Sequence, residues 1–209
     1  MKKFFTASLL IALGSILFSS CMGMETAITI NSGNSGTVTA EYRLSEELVN
    51  FGAIEANKAL LPIPITKADI ENSLASAKGL KLVSWSSTKS DTDTVIKTVI
   101  SFDSLEALMF YLDPQGQLAR YSVTDAEKKI IFSLGDTMPP MDEQMKNLAK
   151  EAFAPYAFKF TVSTPSKIIR AGSSLSIISA AADGKKAIFE GKMQDIVLSG
   201  EAPLIEFTW

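Results

Sequence analysis

The chain of 209 residues contains no histidine and a single cysteine, Cys21. Without imidazole there can be no Ser-His-Asp triad, no His-ligated zinc and no side chain that ordinarily titrates near neutral pH. One cysteine cannot close an intramolecular disulfide, so stability has to come from a hydrophobic core. Positive charge is scarce too: 20 Lys and Arg stand against 23 Asp and Glu, a formal net charge of −3. Such a balance lacks the basic surface that nucleic acid attracts, and no nucleic-acid partner is expected. Beyond Phe18 no apolar run approaches the roughly 20 residues that cross a bilayer as a helix. Chemistry would have to rest on carboxylates, lysine or tyrosine, so neither an enzyme nor a metal or other cofactor is expected.

What is present begins at the N-terminus. Lys2 and Lys3 precede an apolar stretch from Phe4 to Phe18, and small residues Ser19 and Ser20 stand just before Cys21. This is the layout of a secretory signal, too short to span and ended by residues that suit a peptidase. Cys21 falls where a diacylglycerol-modified cysteine becomes the first mature residue, whereas an ordinary free thiol would leave that position unexplained. Leu17-Phe18-Ser19-Ser20-Cys21 resembles a bacterial lipobox. Phe18 and Ser20 replace the usual Leu and Gly or Ala, which looks like the looser lipoboxes of spirochaetes. The reading is a signal peptide over 1–20, a lipidated tether over 21–26 and a single domain over 27–209. It implies an exported, lipid-anchored protein of the cell envelope, on either face of either membrane. Losing Lys2 and Lys3 moves the charge from −3 to −5. Two or more acyl chains hold a protein stably where one does not.

The mature chain alternates two periodicities. Ala27–Asn31 and Thr37–Tyr42 alternate apolar and polar residues around Gly33-Asn34-Ser35-Gly36, which predicts an opening hairpin. Leu44 to Leu60 follows helical spacing until Pro62 and Pro64. Thr66 with Asp69 resembles a capping box, and Ile70, Leu74 and Ala77 then make one helical face before Gly79. Leu80–Ser86 and Thr94–Phe102 predict a second hairpin, and Asp103 with Glu106 another capping pair ahead of Leu105, Leu108, Met109 and Leu112. Leu118–Val123 and Lys129–Leu134 read as strands around a turn near Asp125. Met138-Pro139-Pro140-Met141 opens a helix whose first turn carries Asp142 and Glu143, with Met145, Leu148, Ala149 and Ala152 on its inner face. From Ala157 onward only strands are expected: Ala157–Ser163, Ser174–Ile178, Lys186–Gly191 and Ile205–Thr208. The helix-containing part is thus 27–156 and the β-only part 157–209. Helices interleaved with hairpins indicate an α+β fold, an antiparallel sheet or sheets carrying about four helices, with a β-rich C-terminal part.

Together the lipobox, the strand-turn-strand from Ile28 to Tyr42 and the late segment Phe158-Lys-Phe-Thr-Val-Ser-Thr-Pro165 resemble LppM-type bacterial lipoproteins across most of the mature chain. This chain lacks the C-terminal membrane helix that such proteins often carry. The resemblance implies a role in binding or moving envelope lipid, and it brings no catalytic residues.

Several motifs have competing readings. Ser86-Ser-Thr-Lys89 matches S-x-x-K, but that motif needs a helix N-terminus, and here it follows a strand without its companion motifs. Asp91-Thr92-Asp93 offers two carboxylates but none of the further ligands of a calcium loop. Met138–Met141 and Leu108-Met109-Phe110-Tyr111 could line a lipid pocket or dip into a bilayer, although core packing is the commoner use. Trp85 and Trp209 could mark an interface or a ligand stack, against the ordinary half-buried strand tryptophan. The ligand-binding residues therefore stay open and the one assigned site is lipidation at Cys21. The expectation is a non-catalytic, membrane-anchored domain binding an apolar or amphiphilic ligand such as envelope lipid. The alternative is a protein-interaction or structural module that meets envelope or host proteins through a sheet edge or apolar patch.

Overall fold

The opening hairpin forms as its alternation requires. β1 (Met22–Ile30) and β2 (Gly36–Ser45) pair antiparallel from Met22↔Leu44 to Ile30↔Gly36. Their turn is closed by Asn34, whose positive φ of 63° is tolerated by a short polar side chain. The computed structural model describes residues 22–45, 49, 64–75, 77–89, 93–113, 119–124, 127–133 and 141–209. The signal segment and Cys21 lie outside the described residues.

Two features of this hairpin correct the sequence reading. Residues 22–26 are not a tether, because Met22 to Thr26 already pair with Leu44 to Ala40. Met-Gly-Met-Glu-Thr has little strand character of its own, and its conformation comes from pairing with β2 throughout and, from Met24 onward, with a second neighbouring strand. Leu44 likewise belongs to β2, where it is fully buried, rather than to a helix. Val49 is helical, and the other residues from 46 to 60 lie outside the described residues.

The described residues form an α+β fold of four helices and eleven strands. After the hairpin come α1 (Lys67–Ala75), β3 (Leu80–Lys89), β4 (Asp93–Phe102), α2 (Leu105–Leu112), β5 (Ala119–Val123) and β6 (Lys128–Ser133). The chain continues through α3 (Glu143–Phe153), β7 (Ala157–Ser163), β8 (Arg170–Ser173), β9 (Ser179–Asp183), β10 (Lys186–Lys192), α4 (Met193–Ser199) and β11 (Leu204–Thr208). Seven strands make one sheet in the order β3-β4-β2-β1-β7-β10-β9, and four make the other in the order β5-β6-β11-β8. Pairing is antiparallel except between β1 and β7, which run parallel with Met24 opposite Phe158.

Alternation dictates which face is buried. On β4 the even-numbered residues Ile96, Thr98, Ile100 and Phe102 are buried while Lys97 is exposed. The same face continues through Val38, Ile28, Phe160 and Phe189. Against it the smaller sheet brings Ile130, Phe132, Ile205 and Phe207 into one core. Phe132 meets Phe160 edge-on, with centroids 5.6 Å apart, which locks one sheet to the other. Within the large sheet, Gly36 permits a close approach of its own: a Cβ there would collide with the Thr29 carbonyl and come within 2.5 Å of the Phe102 ring.

The helices follow the capping signals with two shifts. Thr66 and Asp69 form the expected reciprocal box, with the Asp69 backbone N–H donating to Thr66 Oγ1 and the Thr66 backbone N–H to Asp69 Oδ2. For α2, however, the cap is Ser104 rather than Asp103; its Oγ accepts from the Ala107 backbone N–H at 3.1 Å. Asp142 caps α3 rather than lying within its first turn. Ala149 faces inward as expected, joined by Phe153, and the side chains of Leu148 and Ala152 lie outside the described residues.

The strands-only expectation for 157–209 is corrected by α4. Met193, Ile196 and Val197 have helical spacing, and the helix ends at Gly200 with φ of 68°. Lys192 supplies no side-chain cap, so the usual start signal is missing. Ser174–Ile178 is a turn, not a strand: Leu175 and Ile178, three apart, both turn inward, and the Ile178 N–H donates to the Leu175 carbonyl. Strands β8 and β9 flank it. Their sequences, Arg-Ala-Gly-Ser and Ser-Ala-Ala-Ala-Asp, carry almost no strand propensity and are held by backbone pairing to β11 and β10.

Candidate functional site

The inward residues of β1 create the most apolar concavity described. Met24, Thr26 and Ile28 form its floor with Val38 and Phe160, while Ala119, Phe132 and Leu112 close it from the side of the smaller sheet and α2. The cavity measures about 220 Å³, and among the described lining residues Thr26 and Ser133 are the polar ones. Asp113 fixes the start of β5 beside it: its Oδ2 accepts from the Ala119 backbone N–H at 2.8 Å. A concavity lined this way is chemically matched to apolar groups.

Two further concavities carry charged side chains. One of about 260 Å³ lies on the outer face at the start of β1, between Glu25, Glu41 and Arg43 on one side and Tyr156 and Lys159 on the other. The other, about 650 Å³, is a shallow trough beside Ile177, Glu190 and Lys192.

A polar aromatic cluster sits beneath α1. The Tyr42 hydroxyl donates to the Pro64 carbonyl at 2.7 Å, and Ser73 Oγ lies 3.0 Å from the Tyr111 hydroxyl. Burial pushes the Tyr42 phenol above its ordinary range; the Thr98 hydroxyl opposes this, and Tyr111 and Asp69 add to it. Because the fold favours the protonated phenol, its contribution is fully present below the ordinary tyrosine value of about 10 and is lost as pH rises through that value towards the raised one. Tyr42→Phe should therefore be about 1 kcal/mol less stable than wild type near pH 7, from the lost hydrogen bond. The gap should close above about pH 10. Urea midpoints measured across this range test it, and a gap independent of pH would rule it out.

The motifs singled out from sequence do not converge on one place. Ser86–Lys89 lies along the exposed strand β3, so the helix terminus that an S-x-x-K nucleophile requires is not there. Asp93 begins β4 and accepts from the Tyr156 hydroxyl at 3.3 Å, while Asp91 and Thr92 are outside the described residues. Residues 138–140 are also outside them, and Met141 packs on the small cluster of Ala149, Phe153 and Val197. Leu108 and Met109 are core, Phe110 is 58% exposed and Tyr111 faces Ser73. Trp85 packs at the core margin, and Trp209 is buried in a stack with Phe207 and Tyr121.

Among the described residues, none from these motifs lines the cavity. Its floor comes from residues that read simply as strand, and the pairing of β1 with β7 that assembles it has no local sequence signal. Among the described residues there is no cluster of three or more Asp, Glu or Cys that could hold a metal ion. Nor is any described helix long and apolar enough to cross a membrane. Compared with protein-family models and with curated proteins, the chain finds no match in either.

Proposed function

We propose that this chain is an envelope lipoprotein, acylated on Cys21, whose non-catalytic domain takes a hydrocarbon chain of an apolar or amphiphilic ligand such as envelope lipid between its two sheets. The observation that supports this reading is the apolar cavity floored by Met24, Thr26, Ile28 and Phe160. At about 220 Å³ it is smaller than the roughly 300–1,000 Å³ of pockets that enclose whole small molecules. It therefore suits part of one acyl chain, with the polar end of the ligand left outside.

The test is native mass spectrometry on the chain from residue 21 onward carrying Cys21→Ser, purified without detergent, together with its uptake of a fluorescent fatty acid. A stoichiometric co-purifying lipid is expected. Ala119→Phe, which fills the cavity from β5, should weaken uptake at least about tenfold, because a bulky ring removes the apolar volume the guest would occupy. Circular dichroism establishes that the variant is folded. Unchanged uptake by the folded variant would remove the cavity as the site. A wild-type chain that stays free of added envelope lipids would favour the protein-interaction module instead.

A further inference from the structure

Cys21 is covalently next to the first residue of a strand in the interior of the seven-stranded sheet. One peptide unit separates successive Cα atoms by only about 3.8 Å. An acyl anchor there leaves the domain no tether on which to tumble. The register then decides which end of the molecule meets the membrane. At the start of β1 lie the ends of β2, β3 and β10 and the starts of β4 and β7. The β1–β2 turn lies at the opposite end, about 30 Å away for a nine-residue strand.

We propose that this strand-end rim is a docking surface for the headgroup layer of the membrane that holds the anchor, with β1 directed away from the bilayer. The proposal rests on the acylation of Cys21 argued above and goes beyond it by assigning the orientation. The surface chemistry at the rim agrees. The groove of about 260 Å³ beside the start of β1 carries Arg43 and Lys159 together with Glu25 and Glu41. Both signs of charge side by side complement a zwitterionic headgroup better than a purely anionic one. Tyr156 stands at its margin, an amphipathic ring of the kind enriched at the membrane interface.

The orientation also places the apolar cavity. Lys128 Nζ donates to Asn34 Oδ1 at 2.7 Å, so the Lys128 end of β6 lies by the β1–β2 turn and its Ser133 end lies towards the anchor. Met24, Thr26, Ile28 and Val38 line the cavity, which therefore lies beside the middle of β1, with Ser133 on its anchor-side edge.

The experiment uses the full acylated chain in phosphatidylcholine vesicles containing a lipid with a nitroxide on its headgroup. With Cys21 acylated, an introduced cysteine is the one free thiol, and a fluorophore is placed on Lys192→Cys at the rim or on Ser32→Cys at the far turn, both exposed positions. Quenching of the first label at least about three times that of the second is the expected result. Equal quenching, or stronger quenching at residue 32, would overturn the orientation. Mass spectrometry of the N-terminal peptide separates the two readings. Absence of acylation on Cys21 would remove both, whereas acylated chain with equal quenching would remove the docking surface alone.

Discussion

Gly36→Ala is expected to destabilise the domain by more than about 4 kcal/mol, a loss at the exceptional end for a single substitution. A single methyl group is the whole change, but there is no space for it. The added Cβ would overlap the Thr29 carbonyl oxygen and touch the Phe102 ring, and the oxygen belongs to backbone paired on both sides. Relief would require β1 and β2 to separate at the point where β4 also joins through Gly36↔Phe102. Since domains are stable by only about 5–15 kcal/mol, the variant should be poorly folded or close to its midpoint in buffer. Gly172→Ala is the control, because nothing lies within 4 Å of a Cβ there. It should stay within about 0.5 kcal/mol of wild type. Urea unfolding followed by circular dichroism measures both, and similar midpoints for the two variants would refute the argument.

Phe207→Ala should cost about 3–5 kcal/mol, the usual range for removing a large aromatic side chain from a closed core. Phe207 is 0% exposed and lies between Phe132, at 6.4 Å, and Trp209, at 5.7 Å. Its loss opens a hole in the shared core, which the smaller sheet cannot close without breaking the pairing of β11 to β6 and β8. In a domain of this size each kcal/mol moves Tm by roughly 2–4 °C, so a fall of about 10 °C is expected. Tryptophan emission should shift as the Trp209 stack loosens. Phe110→Ala, removing a ring that is 58% exposed, should leave Tm unchanged within error. Equal losses for the two phenylalanines would show that burial in this core does not set the cost.

Much of the secondary structure was legible because local chemistry and tertiary demand coincide. The Thr66–Asp69 box, the Ile70/Leu74/Ala77 face and the alternation of Thr94–Phe102 each point to the element that forms. Where they diverge, the reading failed in recognisable ways. Met22–Thr26 is strand because β2 pairs with all of it and β7 joins from Met24, not because of its own residues. Ser174–Ile178 has strand-like composition, but the spacing of Leu175 and Ile178 serves a turn. Helix α4 lacks a capping side chain, and its marker was Gly200 at the other end. The cavity was less accessible still. Its walls are ordinary strand residues, and what makes them a site is the approach of Met24, Phe132 and Phe160 from three separate strands.

The parallel pairing of β1 with β7 also governs how the molecule comes to exist. Met24 finds its partner in Phe158, so the middle of the large sheet cannot be zipped up by neighbours along the chain. Closing so large a loop is costly in entropy before any contact rewards it, and topologies of this kind fold slowly. Until β7 arrives, one whole side of β1 is a bare ladder of amide and carbonyl groups, a template for any other extended chain. A fragment ending before Ala157 would therefore not be a smaller version of this domain but a sticky half-sheet. The last quarter of the polypeptide acts as the clasp that turns the earlier hairpins into a closed body.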